Sequence, residues 1–186
     1  MGYGLFATKP LPKGTITWVG DPLDQILSPE RLEALPESLR ALAFKYSYLN
    51  GRGERVLCWD HGRFVNHSCA ANCLSPGFNF EIATRDIGVG EELTDDYGTL
   101  NLEEPFPCRC GSPQCREWIQ ADDPIRLAAE WDALTASAFP LILKVDQPLW
   151  QLIEERAEVL SALRGETKLP SVMAHYRSQS LPRSTR

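Results

Sequence analysis

Long apolar runs are missing from this chain. No stretch approaches the ~20 consecutive apolar residues that a membrane-spanning helix needs, so a helical membrane protein is not expected. The opening Met1-Gly2-Tyr3-Gly4-Leu5-Phe6 lacks the basic segment and apolar stretch of a secretory signal, so export is not expected either. No internal repeat is visible. Positive charge is scarce outside the C-terminus: residues 164–186 carry a net +4, which leaves −10 on the rest of a chain of net charge −6. Phosphate binding needs clustered Lys and Arg, so nucleic acid is disfavoured as the main partner. An acidic body suits a basic protein partner, or is simply a solvated surface.

What is present suffices for one globular domain. The chain has 186 residues, 43% of them hydrophobic, enough for a real core with a small appendage. Its six cysteines are too few to staple a chain this long and core-rich. A reduced compartment and a metal site are expected instead, meaning the cytoplasm, or the nucleus in a eukaryote.

Short alternating stretches give the organisation. Leu5-Phe6-Ala7 and Thr15 to Val19 read as strands around a Pro10 to Gly14 turn. Ser28-Pro29 opens a helix, with Leu32, Leu35, Leu39 and Leu42 on one face and Pro36 splitting it in two. Residues 55–60 suit a buried strand. Residues 78–84 suit a half-buried one, with Phe78, Phe80 and Ile82 inward, and another short strand surrounds Leu93. Residues 99–118 are loop-rich. Asp123-Pro124 opens a helix with Leu127, Trp131, Leu134 and Ala138 on one face. Pro148 opens another, with Leu149, Leu152, Ile153, Leu160 and Leu163 on one face and Gly165 as its stop. These stripes would pack on the domain or on a second copy, giving a homodimer through the C-terminal helices. The class is mainly β with added helices.

Three polar features carry chemistry. Cys108-x-Cys110-x4-Cys115 supplies three thiols in a loop bent by Gly111 and Pro113, and structural zinc takes four ligands in a tetrahedron. Cys58, Cys69 and Cys73 are the candidates for the fourth. Cys69, in a polar turn, is more available than Cys58 in a strand. The alternative is a redox pair. Asn66-His67 follows an apolar strand, where an amide and a backbone edge can read a heterocycle; a structural histidine is the plainer alternative. Asn72 can bridge backbone groups, and Tyr97 before Gly98 can simply pack.

Taken together, these residues resemble the SET-domain protein-lysine methyltransferases. Gly2-Tyr3-Gly4-Leu5-Phe6-Ala7 is similar to the family's Gly-x-Gly strand, and Trp18-Val19-Gly20 to its Tyr-x-Gly. Arg63-Phe64-Val65-Asn66-His67-Ser68-Cys69 with Asn72, and Gly90-Glu91-Glu92-Leu93-Thr94-Asp95-Asp96-Tyr97, are similar to its two central signatures. Cys108 to Cys115 with Arg116 resembles its post-SET zinc segment, so the likeness runs over about residues 2–120.

The resemblance implies a SET-domain fold of short curved β-sheets with a pseudoknot, plus a C-terminal helical segment. It divides the chain into a SET domain (1–100), a post-SET zinc segment (101–120), a helical extension (121–165) and a basic, mobile tail (166–186). It implies S-adenosyl-L-methionine bound by Tyr3, Gly4, Leu5, Asn66, His67 and Tyr97, with Trp118 over the adenine. Zn(2+) would be held by Cys69, Cys108, Cys110 and Cys115. Tyr97 would be catalytic, and Trp18, Tyr46 and Asp95 would line the substrate channel, for which Tyr48 is a further candidate. The substrate would be an accessible lysine on a protein. Asp95 stands where many relatives carry Phe or Tyr; it would widen the pocket or attract an ammonium, or else point to solvent. Ala71 replaces the usual proline before Asn72. Glu117 stands where a glycine often follows Cys-Arg, which sends the loop on another path. A catalytically inactive, zinc-stapled interaction module is the competing function, and a thiol-redox protein a third.

Overall fold

Prolines and glycines chop the first two thirds of the chain into strands of two to four residues. The computed structural model describes residues 2–177. In chain order come β1 (Leu5–Phe6), β2 (Ile16–Val19), β3 (Gln25–Leu27), α1 (Pro29–Glu33), α2 (Glu37–Tyr46), β4 (Ser47–Leu49) and β5 (Arg55–Leu57). A 3-10 turn, His61–Phe64, leads to β6 (Asn66–His67), β7 (Cys73–Leu74), β8 (Phe80–Ala83) and β9 (Glu92–Asp95). After a second such turn, Tyr97–Thr99, come β10 (Phe106–Pro107), β11 (Trp118–Ile119), α3 (Asp123–Ala138) and α4 (Arg156–Leu163).

The strands form small sheets ordered β1-β9-β6, β2-β8-β7, β3-β5-β4 and β10-β11. Most neighbours are antiparallel. The exception brings the two signature segments side by side: β6 runs parallel to β9, with Asn66 opposite Thr94 and His67 opposite Asp95.

The sheet β2-β8-β7 has two different faces, because successive side chains point to opposite sides. On one face Ile16, Phe80 and Ile82 are buried with Phe139, Ile142, Ile153 and Val159 from the C-terminal region. Each such side chain contributes about 1.5–3 kcal/mol by leaving water. The stripe residues Trp131, Ala138 and Ile153 are buried within this chain and offer no surface to a second copy, and Val159 is buried where Leu160 and Leu163 of the stripe are only partly so. The other face carries Trp18 and Glu81, register partners beside a bulge in the β2–β8 ladder.

Several local expectations need correction. Leu39 and Leu42 are half exposed, because Pro36 restarts the helix in a new phase and only Ala43 of α2 is buried. The strand expected over 55–60 stops at Leu57. In α3 the inward residue is Thr135 rather than Leu134, which is 40% exposed. The helix expected from Pro148 is broken: a 3-10 turn, Trp150–Leu152, precedes α4, and Leu152 faces out. Gly165, at φ 72°, does end α4. The segment expected as a mobile tail is docked as far as residue 177: Val172 is buried, His175 Nε2 lies 3.0 Å from the Phe78 carbonyl, and the Arg177 N–H donates to Asn101. The rest of that tail, 178–186, lies outside the described residues.

Candidate active site and metal centre

The β6–β9 pairing organises the centre of the site. Asn72, buried at the turn between them, donates from its amide to the Glu92 carbonyl (2.8 Å) and accepts from the Thr94 N–H (2.8 Å). Its role is to lock the two segments together. Ala71, packed beside Leu74 and Trp131, leaves this bridge intact.

Asn66 stands exposed on the outer side. Its amide donates to the Tyr3 carbonyl (2.9 Å) and to Glu92 Oε1 (2.7 Å), and so gathers Tyr3, Gly4 and Leu5 beside it. A side chain at Gly4 would displace the Glu92 carboxylate and crowd Asn66, so bare backbone there leaves the Asn66–Glu92 bond in place. Tyr3 is 72% exposed and lies 5.3 Å from the Phe64 ring. An open backbone edge, an amide and an exposed aromatic are the donor set that a nucleoside with an amino-acid tail requires, so these residues fit S-adenosylmethionine.

His67 turns the other way. Its Nδ1 accepts the Tyr97 N–H at 3.1 Å, and its Nε2 lies 3.3 Å from Cys69 Sγ. A backbone N–H can only donate, so the proton of the neutral ring sits on Nε2 and points at the thiol. Burial lowers the pKa of His67, which favours that neutral form. Of His67, therefore, only the backbone is left for a cofactor.

This tautomer also bears on which residues could hold a metal. His67 Nε2 and the sulfurs of Cys69, Cys108 and Cys110 all lie within 4.8 Å of one another. A protonated ring nitrogen has no lone pair to give, so His67 is an outer partner. A further thiol that could complete the set is Cys115, which contacts those of Cys108 and Cys110. Cys69 and Cys108 sulfurs are 3.8 Å apart. Bonds of ~2.3 Å to a tetrahedral zinc put sulfurs about 3.8 Å apart, so the spacing fits. Backbone N–H groups of Cys69 and Arg116 approach Cys110 and Cys69 sulfurs at 3.5 and 3.3 Å, as expected around thiolates. Cys58 and Cys73 are buried elsewhere.

The loop after the cysteines keeps the glycine-like path despite Glu117, correcting the expectation of another course. Glu117 has φ 62°, and its carbonyl accepts the Cys108 N–H at 2.7 Å. A left-handed non-glycine residue costs about 1–2 kcal/mol. Glu117→Gly should therefore stabilise the chain by about 1 kcal/mol in urea unfolding. Trp118 follows on β11, half exposed and opposite Pro107.

Arg116 ties this loop to the rest. Its guanidinium makes two bonds to Asp96, at 2.7 and 2.6 Å, and reaches Asp123 of α3 at 3.4 Å. Sequence reasoning noted Arg116 as motif but missed the buried Asp96 and Asp123 it serves.

Tyr97 faces a cavity of about 700 Å³, whose lining includes Trp18, Tyr46, Tyr48, Val65, Glu81 and Asp95. The Tyr97 hydroxyl donates to the Val65 carbonyl at 2.7 Å. Burial, then the charges of Asp95 and Glu81, push it up to about 12, so it stays a neutral phenol. The Phe64 ring links an aromatic of this cavity to the Asn66 surface: it is 5.5 Å from Tyr46 and 5.3 Å from Tyr3.

Asp95 does not point to solvent; it is 5% exposed and hydrogen-bonded to Glu81. Glu81 was not foreseen. In an alternating strand it reads as a solvent-face residue, and no sequence signal says that this face looks into a cavity. Burial raises Glu81 to about 7, and burial plus the charges of Glu81 and Asp96 raises Asp95. A carboxyl with a raised native pKa binds a proton that the unfolded chain releases. Its stabilisation is present at low pH and fades as pH rises through its native pKa. Stability should therefore fall between about pH 5 and 7, and Glu81→Gln should flatten that part of the melting-temperature profile.

Residues 2–98 match the SET domain family. The chain is 32% identical over 131 residues to histone-lysine N-methyltransferase 2D of Homo sapiens, covering 63% of this chain and 2% of that protein. It is 44% identical over 64 residues to the histone-lysine N-methyltransferase, H3 lysine-4 specific, of Schizosaccharomyces pombe, covering 31% and 7%. It is 32% identical over 138 residues to histone-lysine N-methyltransferase ash1 of Drosophila melanogaster, covering 62% and 6%. The chain thus spans a small part of the length of these relatives. Among solved structures, the methyltransferase domain of human SETMAR aligns with a TM-score of 0.41 and 22% identity, over 62% of this chain and 53% of that one. With residues 2–98, more than half of its length, matching one family, the chain belongs to the SET domain family.

Proposed function

We propose that this chain is an S-adenosylmethionine-dependent protein-lysine N-methyltransferase. The observation that carries this reading is the Tyr97 cavity, with its phenol held against the Val65 carbonyl and its Tyr46 wall linked to Tyr3 through the Phe64 ring. S-adenosylmethionine supplies an electrophilic methyl on a sulfonium. Tyr3, Gly4, Leu5, Asn66, the His67 backbone and Trp118 bind it, while Trp18, Tyr46, Tyr48 and Asp95 guide the lysine.

A free lysine has a pKa of ~10.4 and is mostly protonated at neutral pH. The aromatic walls disfavour the ammonium by desolvation. Tyr97 and the Val65 carbonyl fix the direction of the amine, and positioning is the main contribution in an in-line displacement. Tyr97→Phe removes one aimed donor and should lower turnover about 10²-fold with zinc content unchanged; unaltered turnover would remove Tyr97 from the mechanism.

Cys69, Cys108, Cys110 and Cys115 hold a structural zinc, with residues 101–120 as its segment, 1–100 as the methyltransferase body and 121–165 as a helical extension. The acidic surface favours a basic protein substrate, and the similarity to histone-lysine N-methyltransferases makes histone tails the first candidates. Calorimetry with S-adenosylmethionine tests the proposal, followed by labelled-methyl transfer to recombinant histone H3 and to a lysate. A chain with no saturable binding would be the zinc-stapled interaction module instead.

A further inference from the structure

The Tyr97 cavity has an acidic wall that the assigned roles do not use. Glu81 is at the middle of β8 and Asp95 at the end of β9; the two strands belong to different sheets that meet at this cavity. Their carboxyls are hydrogen-bonded to each other, and two carboxyls in such contact must share a proton. Both line the cavity together with Tyr97. A second observation points the same way. Trp18, the register partner of Glu81 and part of the same lining, carries a buried indole N–H with no acceptor in the described protein. A buried donor without a partner is unusual in a native fold, and beside an acid pair it suits a polar occupant of the cavity.

The same cavity is also lined by Lys45, Arg55, Arg63, Glu103, Glu104 and His175, with Arg55 paired to Glu103. Asp96, next in the chain, is held by Arg116, yet its charge still raises Asp95. Tyr48, Tyr97, Cys58 and Cys73 all sense Glu81 or Asp95, and burial raises the pKa of each, which keeps them neutral. No cation is among the residues that perturb the pair. A singly charged carboxyl pair in a half-open cavity, with no cation bonded to it among the described residues, is a receptor for an ammonium.

We propose that Glu81 and Asp95 receive the ammonium of the substrate lysine and take its proton before methyl transfer. The inference rests on the methyltransferase reading and adds a proton acceptor to it. The N–H bond breaks and its electron pair stays on nitrogen, while the proton binds the carboxylate pair, leaving a neutral amine and a doubly protonated pair. The nitrogen lone pair then forms a bond to the methyl carbon of S-adenosylmethionine. The carbon–sulfur bond breaks with its electrons going to sulfur, giving a methylammonium and a thioether. The pair returns its proton to water, so one proton is released for each methyl transferred. A monomethyl or dimethyl ammonium still carries a proton to give, so the same pair serves further rounds. A trimethylammonium has none, and the cycle stops there.

The test needs no knowledge of the protein substrate. n-Butylammonium chloride stands in for the lysine side chain, and its binding at pH 7 is followed by NMR of the Trp18 indole N–H, identified through Trp18→Phe. The native chain should show a saturable shift, and Glu81→Gln and Asp95→Asn should each weaken binding at least about tenfold, since each removes the pair's charge or its shared proton. No shift in the native chain, or equal affinity in the variants, overturns the proposal. Infrared difference spectra of the native chain test the proton transfer without any variant: the C=O band of protonated carboxyl should grow on adding butylammonium. An unchanged band overturns the step. Calorimetry with S-adenosylmethionine on the same samples reports on the methyltransferase reading separately. A chain that binds S-adenosylmethionine but not butylammonium loses the acid-pair role alone.

Discussion

Cys110→Ser should reduce bound zinc from about one atom per chain to near zero, because a structural site needs all four ligands. Elemental analysis after gel filtration measures this. In isolated zinc peptides the metal supplies about 10–16 kcal/mol of apparent folding energy. Here the β10–β11 pairing and Arg116 share the task, so the expected result is local. Amide exchange should accelerate over residues 106–119 while the core around Phe80 and Ile82 stays protected. The effect should then travel. Cys69 is both a proposed ligand and the residue that the His67 Nε2–H points at, and His67 receives the Tyr97 N–H. Loss of the metal is therefore expected to loosen Tyr97 and to cost most methyl transfer. Cys58→Ser, buried away from the cluster, serves as the control and should keep its zinc. A Cys110→Ser chain with full zinc content would require a different ligand set.

Arg116→Ala should destabilise the chain by about 3–5 kcal/mol, the usual cost of leaving buried charge without its partner. The Asp96 side chain is 2% exposed and that of Asp123 is fully buried. Arg116 gives Asp96 two bonds, while Asp123 keeps a bond from Arg126. For a domain of this size the loss lowers the melting temperature by about 6–20 °C. Arg116→Lys retains the charge but not the forked geometry, so it should recover only part of the loss. Combining Arg116→Ala with Asp96→Asn should cost less than the two single changes together, since the second removes the orphaned charge. Urea unfolding with an unchanged m-value measures all three. Strict additivity would mean that the pair contributes nothing as a pair.

The site was more legible than the scaffold, for a physical reason. Asn66, His67, Cys69 and Tyr97 lie in short segments whose spacing is fixed by the β6–β9 pairing, so their order in the chain carries their proximity. The turn before β2, the Ser28 cap, the break at Pro36 and the stop at Gly165 were readable because each depends on one residue's backbone. Which way a helix faces depends on distant partners. Leu39, Leu42, Leu134 and Leu152 are consequently more exposed than their spacing suggested. Glu81 escaped notice because an alternating strand looks the same whether its polar face meets water or an internal wall. Asp96 and Asp123 were missed because burying a carboxylate needs an arginine brought from elsewhere, and only the fold brings Arg116 to both. The His67 ring shows a limit of another kind: sequence supplied the residue, but the Tyr97 N–H decides which of its nitrogens is free.

The docked segment at 172–177 has a consequence in time. Val172 and His175 belong to the wall of the cavity that Tyr97 faces, and the Asn101 amide ties the His175 carbonyl to that of Leu49. The 77 residues between Tyr97 and His175 take about 4–15 s to synthesise at ordinary ribosomal rates. The two signature segments can pair well before that wall exists. A nascent chain thus passes through a stage with its centre formed and its substrate channel open on one side. Release of the later residues, rather than folding of the motifs, sets when the cavity becomes selective about what it admits.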